Sequence, residues 1–244
     1  MENINIEDYD YIDFGCSNGN SLIYGQNLFQ GKHGIGVDND PEKIMQAKKT
    51  LQNEKFQSQH TAMCMDVLNL EDENLEKQFK FTTCIHFLEH LAGYTQVQKA
   101  IQTAIKLSTD FVFILQPNKD HDVTLFKNGF KTYYSHWSGH TSLTSSYEFY
   151  KILEECRQEK HIKDYVIFYN ELIKNSQDPI IHPLTSPIDQ HDYDENIHDQ
   201  KRKTKFKGVY KEIGVLIALK DDVPIDEYIQ KVTFNKKIVY DSRN

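Results

Sequence analysis

The stretch of residues 11–40 constrains the fold of this chain more than any other part of the sequence. It contains a short apolar run, a turn with glycines at Gly15 and Gly19, an amphipathic segment, and a second apolar run (residues 34–37) that ends at Asp38. This order is typical of the nucleotide-binding half of an open α/β sheet, where the ligand lies outside the carboxyl ends of the strands. A carboxylate about 20 residues beyond the turn can accept hydrogen bonds from ribose hydroxyls.

The spacing of the glycines narrows the kind of nucleotide. A dinucleotide site has the pattern G-x-G-x-x-G, in which the amino end of a helix faces a pyrophosphate. Here the pattern is Asp13-x-Gly15-x-x-x-Gly19, and no basic residue lies near it to bind phosphate. The turn therefore disfavours a dinucleotide.

Strands and helices alternate along the first half of the chain. Apolar runs in residues 61–70, 79–91 and 111–115 predict the third, fourth and fifth strands. Residues 40–51 and 94–107 have helical spacing, and Asp40 is predicted to cap the first of these helices. Such alternation predicts a parallel sheet with helices on both faces. After the fifth strand, residues 141–160 predict a helix, with a capping box formed by Thr144 or Ser145 and Glu148. Residues 164–169 and 213–219 predict two further strands.

Four features taken together resemble the class I S-adenosylmethionine (SAM)-dependent methyltransferases. They are the turn from Asp13 to Gly19, Asp38, Asp66, and residues 84–91, which resemble the "LEH" form of a motif common in small-molecule methyltransferases. The resemblance covers about residues 8–120. It implies one Rossmann-like α/β domain over residues 1–244, with a seven-stranded, mostly parallel sheet and SAM as cofactor.

The resemblance also assigns parts of the cofactor to residues. Gly15 and Gly19 would line the methionine end, Asp38 would bind the ribose, and Asp66 would bind the adenine. The full set of residues expected at the cofactor is Asp13, Gly15, Cys16, Gly19, Asp38, Asn39, Asp66, Val67 and His86.

Two features that are common in methyltransferase families are absent from this sequence. A third glycine often found in the turn is absent, and Ser17 lies in that interval. The Asn/Asp-Pro-Pro-Tyr signature of enzymes that methylate nucleic-acid bases is also absent. The interval that holds Ser17 tolerates variation, whereas the missing signature argues against methylation of a nucleic-acid base and favours a smaller acceptor.

Methyl transfer from a sulfonium requires alignment of acceptor, methyl group and sulfur, and a hydroxyl or amine acceptor also benefits from a base. Histidine is the usual base, and two pairs of histidines are candidates. His86 and His90 follow the fourth strand, and His136 and His140 lie in an aromatic segment after the fifth strand. Incidental histidines in a packed aromatic loop are the alternative interpretation of the second pair.

A metal site is a further hypothesis for the same residues. Some methyltransferases of ubiquinone biosynthesis and of small-RNA 3′ ends are similar here, with Glu and His of this motif holding a divalent ion. That similarity implies a cluster of His86, Glu89, His90 and His140. The pattern H-x-x-E-H also occurs in zinc peptidases, but its place at a strand end in an α/β frame argues against that class.

Two segments are expected to depart from the plain fold. A lid or insertion is predicted near residues 120–145, and a long polar insertion near residues 174–208. Long connections of this kind are usually lids or disordered excursions. In the second segment, the basic residues 201–207 could meet an anionic substrate, and the His/Asp run of residues 189–195 is better explained as a solvated loop than as a metal site.

Composition limits the location and the partners. The net charge of −8 argues against a broad electrostatic grip on nucleic acid, so nucleic acid is an unlikely partner. The sequence contains no apolar stretch long enough to cross a membrane and no secretory signal in residues 1–14. The four cysteines show no paired spacing, which favours a reduced, cytoplasmic compartment; they are Cys16, Cys64, Cys84 and Cys156.

The sequence therefore predicts a SAM-dependent methyltransferase that acts on a small molecule. O-methylation of a sugar or sugar nucleotide, as in surface-glycan or capsule synthesis, is the leading prediction. The alternatives are a divalent-metal-dependent RNA 2′-O-methyltransferase and a SAM-binding module without catalysis. The acceptor, the methylated atom and the oligomeric state stay open at this point.

Overall fold

The computed structural model describes residues 8–52, 60–73, 77–232 and 235–244. Residues 1–7, on which the expectation about a secretory signal partly rests, lie outside the described residues. The strands are β1 (Tyr11–Phe14), β2 (Gly34–Asp38), β3 (His60–Cys64), β4 (Phe79–Ile85), β5 (Ser108–Pro117), β6 (Phe130–Thr132), β7 (Asp164–Asn175), β8 (Ile181–Pro183), β9 (Lys205–Ala218) and β10 (Lys237–Asp241). The helices are α1 (Asn20–Phe29), α2 (Pro41–Leu51), α3 (Tyr94–Leu107), α4 (Asp122–Lys127), α5 (Ser146–Gln158) and α6 (Ile225–Val232).

An eight-stranded sheet in the order β10-β7-β9-β5-β4-β1-β2-β3 forms the centre of the molecule. Strands β1 to β5 are mutually parallel, whereas β9, β7 and β10 pair antiparallel. Strand order reverses at β1, which pairs with β2 on one side and β4 on the other. The reversal opens a crevice at the carboxyl ends of β1, β2 and β4.

The predicted α/β class is confirmed, with one correction to the strand count. The sheet has eight strands instead of seven, because β10 adds an edge strand to β7. Three of the five residues of β10 are exposed. An edge strand with so little burial lacks the apolar pattern that identifies a strand in sequence.

Helices cover both faces of the sheet, and each face has its own apolar core. Helices α3 and α5 pack on one face against β1, β2, β4 and β5. Helices α1, α2 and α6 pack on the other face. Residues 111–115 of β5 are buried on both faces of the sheet, and their sequence is accordingly a continuous apolar run instead of a simple alternation.

Two predicted helix starts are confirmed. The Asp40 carboxylate accepts from the backbone N–H groups of Glu42 and Lys43, and Pro41 occupies the first helical position of α2. Ser145 begins α5 with a complete capping box in which its hydroxyl accepts from the N–H of Glu148.

A small second sheet joins the two irregular segments. Strand β6, in the 120–145 segment, pairs antiparallel with β8, in the 174–208 segment. A separate apolar cluster holds this sheet together and includes Leu125, Phe130, Tyr134, Ile173, Ile180, Ile181 and Val209. The two segments therefore pack as one unit above the main sheet.

The longest strands, β7 and β9, extend beyond the main sheet. Their residues 164–169 and 213–218 pair inside it, and residues 170–175 and 205–212 continue as a two-stranded ribbon. Since β5 pairs with β9 up to Pro117, this ribbon begins at the carboxyl edge of the parallel strands. The ribbon places β9 residue Glu212 beside the crevice.

A glycine in β2 should be required for the packing of β1 against β2. A Cβ on Gly34 would overlap the Tyr11 ring, which cannot move away because its hydroxyl donates to the Leu22 carbonyl oxygen at 2.9 Å. Overpacking of this kind costs about 1–3 kcal/mol. We expect Gly34→Ala to lower the free energy of unfolding in urea by that amount. Lys32→Ala, at an exposed neighbour, is the control and should have little effect.

Candidate functional site

The crevice at the carboxyl ends of β1, β2 and β4 is an open cavity of about 830 Å³. Its wall combines the turn after β1, the end of β2, the residues after β3 and the residues after β4. The lining includes Gly15, Cys16, Ser17, Ser21, Asp38, Asn39, Met65, Asp66, Val67, His86, Phe87 and His90.

The turn after β1 has a backbone that glycine permits. Gly15 has φ +67°, and a Cβ on it would overlap the Phe87 ring that packs against the turn. Gly15 and Cys16 line the cavity, whereas Gly19 lies outside the lining, next to Ala47 of α2. Part of the space left by Gly15 is thus taken by a side chain of this chain.

The Asp38 carboxylate is held on the cavity wall by the backbone. Its Oδ2 accepts from the Ser17 N–H at 3.0 Å, and its Oδ1 accepts from the Asp40 N–H at 3.0 Å. Each oxygen keeps a second lone pair for another donor. The carboxylate therefore has a fixed orientation and spare accepting capacity.

Asp66 lies on the cavity wall beyond the end of β3. Its Oδ1 accepts from the Leu68 N–H at 2.9 Å, as in a residue that starts a turn. Met65 and Val67 flank it in the lining. Asp66 therefore both starts a turn and lines the cavity.

Asp13 is fully buried behind the turn and does not line the cavity. Its carboxylate accepts from the Ser21 hydroxyl at 2.5 Å and from the Thr83 hydroxyl at 2.6 Å. Burial raises the pKa of Asp13 to about 7, although the two hydroxyl hydrogen bonds lower it. The side chain joins β1 to α1 and β4.

A second, smaller compartment of about 220 Å³ opens beside the first. The two compartments share the wall residues His86, His90 and Glu212. The rest of the lining of the smaller compartment is Glu89, Pro117, Tyr133, Tyr134, His140 and Lys211.

His86 lies between two carboxylates at the shared wall. Its Nε2 hydrogen-bonds the Glu212 carboxylate at 3.0 Å, and its Nδ1 is 3.4 Å from the Glu89 carboxylate. Burial lowers the pKa of His86, but the two carboxylates outweigh burial and raise the pKa to about 10. The ring is therefore an imidazolium at neutral pH.

Glu89, His90 and His140 form a cluster that is able to hold a metal ion. One potential ligand atom of each lies within 4.8 Å of the others. Glu89 is 1% exposed, and its buried Oε2 has no hydrogen-bond partner among the described residues. A buried carboxylate oxygen without a partner is costly and needs a further ligand.

The hydrogen bonds of the two histidines leave a lone pair on each ring. His90 Nδ1 lies 2.9 Å from the Gly139 carbonyl oxygen, and His140 Nδ1 lies 3.1 Å from the Tyr134 carbonyl oxygen. A carbonyl only accepts, so both Nδ1 atoms carry hydrogen and both Nε2 atoms stay free to bind a metal. Burial lowers the pKa of His140, which favours the neutral ring.

The structure does not bring His136, the fourth predicted catalytic histidine, to either compartment. It lies in a short helical turn, Tyr134–His136, and its Nδ1 is 2.7 Å from the Lys131 ammonium group. His86, His90 and His140 converge, and His136 belongs to the packing of the neighbouring loop.

Sequence reasoning missed Asn170, Lys211 and Glu212, which line the site from the β7–β9 ribbon. Glu212 lies within β9, just before its apolar run, and antiparallel pairing with β5 places Glu212 opposite Pro117, where the parallel strands end. The direction of β9 relative to β5 is what brings Glu212 to the site, and local sequence does not reveal that direction.

Residues 12–108 match a family model described as "Methyltransferase domain". A similar curated protein is "Putative methyltransferase 235L" of Invertebrate iridescent virus 6, which is 25% identical over 126 residues. That match spans 52% of this chain and 43% of the viral protein. The chain thus corresponds to less than half the length of this relative.

Solved structures of the same fold cover most of the chain. The YcgJ protein of Bacillus subtilis has a TM-score of 0.57 at 14% identity and covers 87% of this chain and 92% of its own. Magnesium protoporphyrin IX methyltransferase of Synechocystis PCC 6803, solved with bound SAH, has a TM-score of 0.52 at 13% identity and covers 88% and 76%. These likenesses confirm the fold.

The family match confirms the predicted resemblance and, with it, SAM as the cofactor that this family uses. The acceptor is not identified by any of these similarities. Among the described residues, no helix combines the length and the apolar character that crossing a membrane requires.

The stability of the protein should depend on the protonation of Asp13. Its pKa is raised from 3.8 to about 7 in the folded protein, so folding favours the protonated carboxyl. This contribution to stability is complete below about pH 4 and is lost as pH rises toward 7. The loss amounts to at most about 1.4 kcal/mol per pH unit.

Urea denaturation between pH 4 and pH 8 measures this effect. We expect the stability of wild type relative to Asp13→Asn to fall as pH rises through this range. Asp192→Asn, whose carboxylate is 94% exposed, is the matched control and should give a constant difference. A constant difference for Asp13→Asn as well would contradict the assignment.

Proposed function

We propose, on the premise that this chain belongs to the class I SAM-dependent methyltransferases, that it methylates a hydroxyl oxygen of a sugar or sugar nucleotide. One observation carries the proposal. A compartment lined by Glu89, His90, His140 and Tyr133 shares a wall with the larger cavity. The larger cavity has room for the cofactor, and the smaller one is of a size to admit one sugar ring.

The described side chains fit SAM in the larger cavity. Asp38 would bind the ribose hydroxyls with its two backbone-fixed oxygens, and Asp66 would bind the adenine with Met65 and Val67 beside the ring. The exposed backbone of the turn at Gly15 would hold the methionine end. When bound, SAM supplies a methyl group on a positively charged sulfur, which these carboxylates favour electrostatically.

The protonation of the histidines assigns them different roles. His86 keeps its proton at neutral pH because two carboxylates surround it. It therefore cannot accept a proton from the acceptor and instead carries a fixed positive charge. Burial lowers the pKa of His140, which favours the neutral ring, and its Nδ1 faces a carbonyl oxygen, so its Nε2 would be the atom to accept a proton or bind a metal.

A divalent cation fits the cluster of Glu89, His90 and His140. One carboxylate oxygen of Glu89 and one ring nitrogen of each histidine lie within 4.8 Å of one another and form a mixed oxygen and nitrogen donor set of the kind that divalent metals bind. A cation bound there would polarise a hydroxyl of the acceptor and lower its pKa. The aromatic rings and the Lys211 ammonium group would orient the rest of the acceptor.

A second candidate function is methylation of the terminal ribose of an RNA strand. The metal cluster favours it, as do the basic residues Lys203, Lys205 and Lys207, which are exposed on and beside β9. The net charge of −8 weighs against it. Binding of RNA that weakens steeply with salt would distinguish this candidate from a free sugar acceptor.

Loss of the Asp38 carboxylate should weaken cofactor binding. Hydrogen bonds to a charged group contribute about 1.5–3 kcal/mol, so we expect Asp38→Ala to raise the Kd for S-adenosylhomocysteine about 10- to 100-fold. Isothermal titration calorimetry measures the Kd. Glu227→Ala, on the exposed surface of α6, removes the same charge and should not change it. Equal Kd values for wild type and Asp38→Ala would contradict the placement of the ribose.

Chelation and an acceptor panel test the rest of the proposal. Labelled methyl transfer is measured with sugars, sugar nucleotides and short RNAs, before and after EDTA treatment. We expect transfer to a sugar hydroxyl, loss of activity with EDTA, recovery with Mg²⁺ or Mn²⁺, and strong loss in Glu89→Gln. Transfer to RNA alone would establish the second candidate. Tight cofactor binding with no transfer to any acceptor would favour a binding module without catalysis.

A further inference from the structure

Three polar side chains from distant parts of the sequence form a series of contacts that leads to Glu89 in the Glu89–His90–His140 cluster. Asn170 Nδ2 donates to Glu212 Oε2 at 2.6 Å, and Glu212 Oε1 accepts from His86 Nε2 at 3.0 Å. His86 Nδ1 in turn lies 3.4 Å from Glu89 Oε1. This series of contacts ends at the other Glu89 oxygen, which has no hydrogen-bond partner in the part of the chain that the structure describes.

The His86 ring lies between two buried carboxylates. His86 faces a carboxylate at each ring nitrogen, because Nε2 hydrogen-bonds Glu212 at 3.0 Å and Nδ1 lies 3.4 Å from Glu89. Glu212 and Glu89 are 7% and 1% exposed, so water has little access to either carboxylate. A cation beside Glu89 would give its buried Oε2, which has no hydrogen-bond partner among the described residues, a partner.

The backbone of His86 requires such support. His86 has φ +51°, a left-handed conformation that residues other than glycine rarely adopt. Its own N–H donates to the Leu115 carbonyl oxygen at 2.8 Å, which fixes the backbone but not the ring. The ring is 47% exposed on the cavity side, so its orientation depends on the two carboxylates.

We propose that Glu212 is a positioning residue that holds His86 against Glu89 and so presents the free Glu89 oxygen to a divalent cation at His90 and His140. The inference rests on the proposed function, because it requires the cation site described above. Within the described part of the chain, the hydrogen bonds found for the Glu212 carboxylate go to His86 and Asn170, not to Glu89, His90 or His140. Its role passes through His86, whose two nitrogens are both engaged and which therefore does not bind the cation itself.

The experiment compares binding of Mn²⁺ and of S-adenosylhomocysteine by isothermal titration calorimetry. Partners that orient a metal ligand typically contribute 10- to 100-fold in metal affinity, so we expect Glu212→Gln to raise the Kd for Mn²⁺ by about that factor. The Kd for S-adenosylhomocysteine and the melting temperature should stay near wild type. A purely structural role would instead weaken both ligands and lower the melting temperature together.

Two further variants keep the result interpretable. Glu171→Gln removes a carboxylate from the same cavity wall, but Glu171 pairs with Lys211 at 3.1 Å and does not touch His86. We expect it to leave the Kd for Mn²⁺ unchanged. Asn170→Ala removes only the donor that fixes Glu212, and it should raise the Kd for Mn²⁺ by a smaller factor, even if Glu212→Gln does not fold.

The outcomes separate this inference from the proposed function. Wild type that binds no Mn²⁺ would overturn the cation site and the inference together. If wild type binds Mn²⁺ and folded Glu212→Gln binds it with the same Kd, the positioning role alone is overturned. If Glu212→Gln does not fold, an unchanged Kd in Asn170→Ala overturns it in the same way. An equal loss of Mn²⁺ affinity in Glu171→Gln would also overturn it, because the effect would then be one of general charge.

Discussion

The buried carboxylate of Asp13 holds together the part of the fold on which the site depends. It accepts hydrogen bonds from Ser21 at the start of α1 and from Thr83 in β4, so it fixes where β1 ends relative to both. The turn between β1 and α1 then presents the Ser17 N–H to Asp38. A carboxylate with no cation beside it is costly to bury, and the two hydroxyl groups offset part of that cost.

The site forms where two halves of the sheet with opposite strand directions meet. The parallel strands bring the residues proposed to bind the cofactor, such as Asp38 and Asp66, to the same edge as the Glu89–His90 segment, because each lies at or after the end of a strand. The antiparallel pair β7 and β9 passes the same edge and contributes Asn170 and Glu212. His86 lies at the junction and forms contacts to both halves. The proposed acceptor compartment therefore depends on both halves of the sheet.

Local sequence was sufficient where local physics decides the structure. The turn at Gly15, the cap at Asp40 and the capping box at Ser145 were predictable, since each depends on residues close in sequence. The compartment was not, because Glu212 lies 126 residues from His86. The edge strand β10 and the pairing of β6 with β8 also depend on partners distant in sequence. His136 was grouped with His140 by proximity alone, and the loop between them turns its ring toward Lys131.

The central claim is that a cofactor cavity and a cation-binding acceptor compartment share one wall at His86. A crystal structure of the protein with S-adenosylhomocysteine and Mn²⁺, with anomalous data for manganese, tests it most directly. The account predicts adenosyl density between Asp38 and Asp66, and an anomalous peak bounded by Glu89, His90 and His140. Adenosyl density elsewhere, or a manganese peak away from these three residues, would contradict it.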